Sequence, residues 1–102
     1  MNQLKFIRTT HDGNGRCRSF PPEAWRFWRE QGTAVGEVLR TETPLTLAEV
    51  LTASREYALE HPDSLMYADV TEEQVAWRLL KLCEVGMAAV VIEPIPPARS
   101  LH

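Results

Sequence analysis

Residues 45–92, LTLAEVLTASREYALEHPDSLMYADVTEEQVAWRLLKLCEVGMAAVVI, decide the fold. They hold two capping boxes, Thr46-Leu47-Ala48-Glu49 and Thr71-Glu72-Glu73-Gln74. In each, a Thr hydroxyl and a Glu or Gln side chain three residues on satisfy amides that a helix start leaves unbonded. Behind the first, Leu47, Val50, Leu51, Ser54, Tyr57 and Ala58 recur at helical spacing as far as His61-Pro62, predicting a helix over 47–60. Behind the second, Val75, Leu79, Leu82 and Cys83 share one face and Gly86 stands where a helix stops, predicting a helix over 71–85. The connector DSLMYAD, 63–69, has room for one helical turn around Leu65 and Met66. The run Met87 to Ile92 is small, apolar, rich in β-branched residues and closed by Pro94, so it is expected as a buried strand.

Toward the N-terminus, Leu4 and Phe6 alternate with Lys5 and Ile7 in a strand over 3–9. His11-Asp12-Gly13-Asn14-Gly15 is a turn signal, and Arg16 to Phe20 is expected to return as the second strand of a β-hairpin. Pro21-Pro22 ends that strand and suits the start of a helix over 23–31, with Gly32 as its stop. Residues 34–40, AVGEVLR, read as a third strand. Ala24, Trp25, Phe27 and Trp28 crowd the short helix. Trp25 and Trp28 are therefore either core residues or anchors for a partner, since Trp beside Arg is the composition of binding hot spots.

The 102 residues, 44% hydrophobic and 25% charged, suffice for one core. The expected organisation is one domain: hairpin, aromatic helix and third strand over 1–44, a helical core over 45–93, and a Pro-rich extended tail over 94–102. Cys17 and Cys83 form no Cys-x-x-Cys pair, so reduced thiols are expected rather than a disulfide scaffold or zinc site. The N-terminal MNQLKFIRTT lacks the apolar region of a secretory signal, and no apolar run reaches membrane-span length. A cytoplasmic protein without membrane contact is the expectation. The net charge of −3 is uneven: residues 1–40 hold seven Lys/Arg against four acids, and residues 41–102 hold four against ten.

The order helix, connector, capped helix and apolar strand, with Val75-x-x-x-Leu79-Leu80-x-Leu82-Cys83-x-x-Gly86-Met87 at its centre, resembles the helical core of winged-helix domains across residues 45–92. The expected class is α+β and winged-helix-like, with an N-terminal β-hairpin, three to four helices and a C-terminal apolar strand. Within that class the chain is similar to the PqqD-like domains called RiPP recognition elements, which serve ribosomally made, post-translationally modified peptides. It departs from them by the aromatic helix at 23–31 and the strand after the last helix. It also looks like the small partner subunits of multinuclear non-haem iron oxygenases that modify peptides. The resemblance implies a non-catalytic accessory protein that captures a leader peptide as an added strand, between the sheet edge and the last helix. It would deliver that peptide to an enzyme which itself carries the iron, this chain holding no cofactor.

The residues support no catalytic centre. His11, His61 and His102 have no ligand spacing, Asp12-Gly13-Asn14-Gly15 lacks the remaining oxygens of a calcium loop, and no phosphate loop or nucleophile elbow occurs. Candidate peptide contacts are Lys5, Phe6, Ile7 and Arg8 on a sheet edge, with Trp77, Arg78 and Lys81 on the last helix. For these, core cover by Trp77 and solvated cations stand as the alternative. Candidate partner contacts are Trp25, Trp28, Pro94, Ile95, Pro96 and Pro97. The competing reading is a winged-helix transcriptional regulator that binds DNA. Against it, residues 71–85 carry Glu72, Glu73 and Glu84 against Arg78 and Lys81, a poor reading head for phosphates.

Overall fold

In the computed structural model, which describes residues 2–94, the two capped helices stand where the sequence puts them. Label the elements β1 (Asn2–Arg8), α1 (Pro22–Phe27), α2 (Thr33–Val38), α3 (Leu47–Glu60), α4 (Glu72–Glu84) and β2 (Ala88–Pro94). Both capping boxes form in full: Thr46 and Thr71 accept from the amides of Glu49 and Gln74, whose side chains reach back to the cap amides. Val50, Ser54 and Ala58 of α3 and Val75, Leu79 and Leu82 of α4 face the core with Val35, Leu39 and Met87. Gly86 follows α4 at φ +82, a conformation glycine adopts freely, and the chain turns there into β2. Thr9 stitches this turn, donating its hydroxyl to the Gly86 carbonyl at 2.7 Å and its amide to the Met87 carbonyl at 3.0 Å.

The expected third strand over 34–40 is helical. Helical conformation runs from Pro22 to Val38 through a π turn, Trp28–Gly32, and Leu39 is the first extended residue. Gly32 does not stop this helix. A Cβ there would lie 3.2 Å from both Leu82 Cδ2 and Phe27 Cε2, so the glycine marks a close contact with α4. Thr33 donates its hydroxyl to the Trp28 carbonyl at 2.6 Å, engaging a group of the widened turn. Ala34, Val35 and Gly36 are buried, so the run that reads as a strand is the inward face of α2.

The expected hairpin is also changed. The chain reverses at Asp12–Gly15, where Asp12 Oδ1 accepts from the amides of Asn14 at 2.8 Å and Arg16 at 3.0 Å. Residues 16–20 then form no strand of their own, and the hairpin-like return is held by the bridge of His11 with Cys17, by the Arg18 amide donating to the Thr10 carbonyl at 2.8 Å and by Arg18 Nη1 donating to the Thr9 carbonyl at 3.1 Å. The long partner of β1 is β2, antiparallel, with Leu4 opposite Ile92, Phe6 opposite Val90 and Arg8 opposite Ala88. The result is a small α+β fold in which helices pack on one end of a two-stranded sheet. The connector 63–69 makes turns without a helical turn, and buries Met66 and, just beyond, Val70. Residues 95–102, with most of the expected tail, lie outside the described residues.

Candidate functional site

The sheet has two unequal edges. On the outer side of β1, Phe6 and Leu45 exchange backbone hydrogen bonds of 2.7 and 3.0 Å, and the Arg8 amide donates to the Arg40 carbonyl at 2.9 Å. Because Phe6 and Arg8 turn their peptide groups away from β2, their opposite residues Val90 and Ala88 turn theirs away from β1. The same parity applies to Ile92. Val90 and Ile92 thus present N–H and C=O groups along the outer edge of β2, where no strand pairs with them among the described residues, while Ala88, of the same parity, is buried.

One face of this edge is apolar. Residues opposite one another in an antiparallel pair share a face, so Leu4, Phe6, Ala88, Val90 and Ile92 lie together. Phe6 and Ala88 are sealed in the core, whereas Leu4 is 56%, Val90 44% and Ile92 60% exposed. The expectation of a buried strand over 87–92 therefore holds only at its base, Met87 and Ala88. On the other face, Lys5 Nζ and Glu93 Oε2 pair at 3.0 Å.

The sequence-based candidates divide accordingly. Lys5, Phe6, Ile7 and Arg8 lie in the doubly paired strand, so the open edge belongs to β2 and not to this segment. Arg8 reaches Glu37 at 3.5 Å. On α4, Arg78 donates from Nε to the Gln31 carbonyl and from Nη1 to the Gln74 carbonyl, both at 3.0 Å, and burial lowers its pKa. Trp77 is 44% exposed and meets Phe27 edge-on at 5.9 Å, with Lys81 Nζ 5.7 Å above its ring. Lys81 also pairs with Glu84 at 3.4 Å. Both cations of the last helix are thereby engaged.

Trp25 and Trp28 are half-buried against the core in an edge-to-face chain with Phe20, at centroid distances of 5.7 and 6.0 Å. Pro94 ends β2 opposite Asn2, while Ile95, Pro96 and Pro97 fall outside the described residues. Leu4, Val90 and Ile92 were not singled out by sequence as contacts. Their signal in the sequence was the uncharged apolar run Ala88 to Ile92.

Among the described residues no three His, Cys, Asp or Glu side chains converge as metal ligands, and no helix is long and apolar enough to cross a membrane. A cavity of about 260 Å³ lies between the π turn and the connector. It mixes Arg29 with Glu30 and Asp63 beside His61 stacked on Tyr57, without a converging set of one chemistry. Cys83 is half-buried, and desolvation pushes its thiol above the ordinary range, against reactivity. Comparison of the chain with protein-family models, with curated proteins and with solved structures finds no match.

Proposed function

We propose that this chain is a non-catalytic recognition subunit that takes an extended segment of a precursor peptide as a third strand on the outer edge of β2. One observation carries the reading: the outward peptide groups of Val90 and Ile92 beside the exposed side chains of Leu4, Val90 and Ile92. An added strand gains affinity from main-chain hydrogen bonds and selectivity from alternate side chains. Here the alternate residues opposite Val90 and Ile92 would lie over the apolar face, so the fitting peptide carries aliphatic or aromatic residues at i and i+2. Covering each half-exposed aliphatic side chain contributes about 1 kcal/mol.

The fold within this proposal is winged-helix-like, of the PqqD-like recognition type, and the peptide goes to a cytoplasmic peptide-modifying enzyme bound as a heteromeric partner. Any iron belongs to that enzyme. The DNA-binding reading is disfavoured because the Arg78 guanidinium is turned to backbone carbonyls and Lys81 pairs with Glu84, while the start of α4 carries Glu72 and Glu73.

The test is titration of a fluorescent leader peptide, taken from a short reading frame beside the gene, followed by anisotropy. Val90→Pro removes an outward donor at an edge position that tolerates proline, and Ile92→Lys puts a charge on the apolar face. Both variants should keep the wild-type circular dichroism and lose binding. Binding unchanged in both, or binding of duplex DNA in place of peptide, overturns the proposal.

A further inference from the structure

We infer that the cavity between the π turn and the connector binds a free α-amino acid with an apolar side chain. The inference does not rest on the peptide reading, since none of the cavity's residues belongs to the sheet.

The cavity measures about 260 Å³. Sites for drug-sized ligands run from roughly 300 to 1,000 Å³, so the occupant that fits is one smaller molecule. One wall is the widened turn Trp28–Gly32, a departure from α-helical geometry of the kind often kept at functional sites. The end of α3 and the connector complete it.

The charges on these walls are of both signs and are unpaired. Arg29 and Glu30 come from the π turn and Asp63 from the connector, and the ion pairs of the described residues all lie elsewhere. Consecutive helical residues point apart, which keeps Arg29 from neutralising Glu30. His61 adds an acceptor: its Nδ1 lies 3.1 Å from the Tyr57 carbonyl and so carries the proton of the neutral ring, leaving Nε2 to accept. Ser64 also lines the cavity, and its hydroxyl is buried with no hydrogen-bond partner among the described residues. A hydroxyl in that state costs free energy until something pairs with it.

An ammonium group suits Glu30, Asp63 and the acceptors, and a carboxylate suits Arg29. A simple amine would leave the Arg29 cation without an anion, and a simple acid would meet two carboxylates. A zwitterion answers both. Ala34, Leu65 and Met66 give the cavity an apolar side, and the Tyr57–His61 stack, with rings 4.0 Å apart, gives it a flat one, so the side chain carried by the zwitterion is apolar. Leu65 is 68% exposed, apolar surface that such a side chain would cover.

Isothermal titration calorimetry of the full chain tests the site with L-leucine, L-methionine and L-phenylalanine. Each is paired with the amine and the acid that keep one of its two charges, isoamylamine and isocaproate for leucine. At least one amino acid should bind, and its one-charge analogues should bind about tenfold more weakly or less, each having lost a charge-assisted contact. Arg29→Ala, and the double variant Glu30→Gln with Asp63→Asn, should each weaken the amino acid by about tenfold or more at wild-type circular dichroism. Arg29→Ala should also narrow the gap between amino acid and amine. No binding of any of the three, an amine or acid that binds as well as its amino acid, or affinity unchanged in either variant overturns the inference.

Discussion

Arg78 of α4 donates from Nε to the carbonyl of Gln31, 3.0 Å away in the π turn, and so ties the two halves of the chain together. Its Nη1 bonds the Gln74 carbonyl one turn back on its own helix, also at 3.0 Å. A residue read in the sequence as a candidate peptide contact is thus also a structural tie in the fold. Arg78→Met keeps the aliphatic stem and removes both bonds, and should destabilise by about 1–2 kcal/mol. Arg78→Lys should recover little, since an ammonium lacks the fork that spans two carbonyls. Urea denaturation measures both. Unaltered stability with lost peptide binding would return Arg78 to the recognition surface.

The contrast with α3 and α4 shows which parts of the fold are legible in sequence. Caps and 3.6-residue periodicity are local, so both helices and both capping boxes can be read directly from residues 46–60 and 71–84. Residues 34–38 are ambiguous because a short buried apolar run fits strand and helix alike, and what makes Gly32 a contact lies in Leu82, fifty residues away. The pairing of Phe6 with Val90 is similarly nonlocal: a turn at Asp12–Gly15 suggests a local hairpin, and nothing near it names β2. The general mode of the candidate site, a sheet edge, is thus readable, but the particular edge is not.

Gly36 is a second contact glycine. A Cβ there would sit 2.3 Å from Trp28 Cζ3, inside van der Waals contact with a ring itself held against Trp25. Gly36→Ala should therefore destabilise by about 1–3 kcal/mol although alanine is the better helix former. Trp28→Phe relieves the overlap, so the double variant should lose less than the two single losses added. Thermal unfolding of the four chains gives the coupling, and strict additivity would show that Trp28 does not press on residue 36.

Ser54 is buried at the centre of α3, and its hydroxyl has no hydrogen-bond partner among the described residues. Alanine removes the unsatisfied group and raises helix propensity without making a large void. Ser54→Ala should hold stability or raise it by up to about 1 kcal/mol. A clear loss in urea denaturation would mean that the hydroxyl is satisfied in solution.

Glu49 lies at the third position of the first capping box, and hydrogen bonding with Thr46, first from its backbone amide at 2.9 Å and then with its side chain, aided weakly by Lys5, lowers its pKa below the ordinary 4.5. A depressed carboxylate stabilises the fold above its unfolded pKa. That contribution falls away as the pH drops through 4.5 toward the lower folded value. Glu49→Gln should therefore show a smaller fall in melting temperature as the pH is taken from neutral to below 4.5. Parallel acid limbs in wild type and variant would remove Glu49 from the acid sensitivity of α3.

Parity along β2 makes the last prediction. Antiparallel strands bond through every second residue, and Phe6 and Arg8 spend their peptide groups on Leu45 and Arg40. Ala89 and Val91 are then the residues whose amides bond β1, while those of Ala88, Val90 and Ile92 point outward. Amide hydrogen exchange should alternate along β2: slow at Ala89 and Val91, fast at Val90 and Ile92. β1 should show no such alternation from Lys5 to Arg8, because β2 covers one side and residues 40–45 the other. Solvent exposure alone would not give this pattern, since Val90 and Val91 are sequence neighbours differing mainly in where their N–H points. Saturating leader peptide should slow Val90 and Ile92 and leave Ala89 and Val91 unchanged. Uniform protection along β2 without peptide would show the outer edge already occupied, and protection gained on β1 in place of β2 would move the binding site to the edge near Leu4.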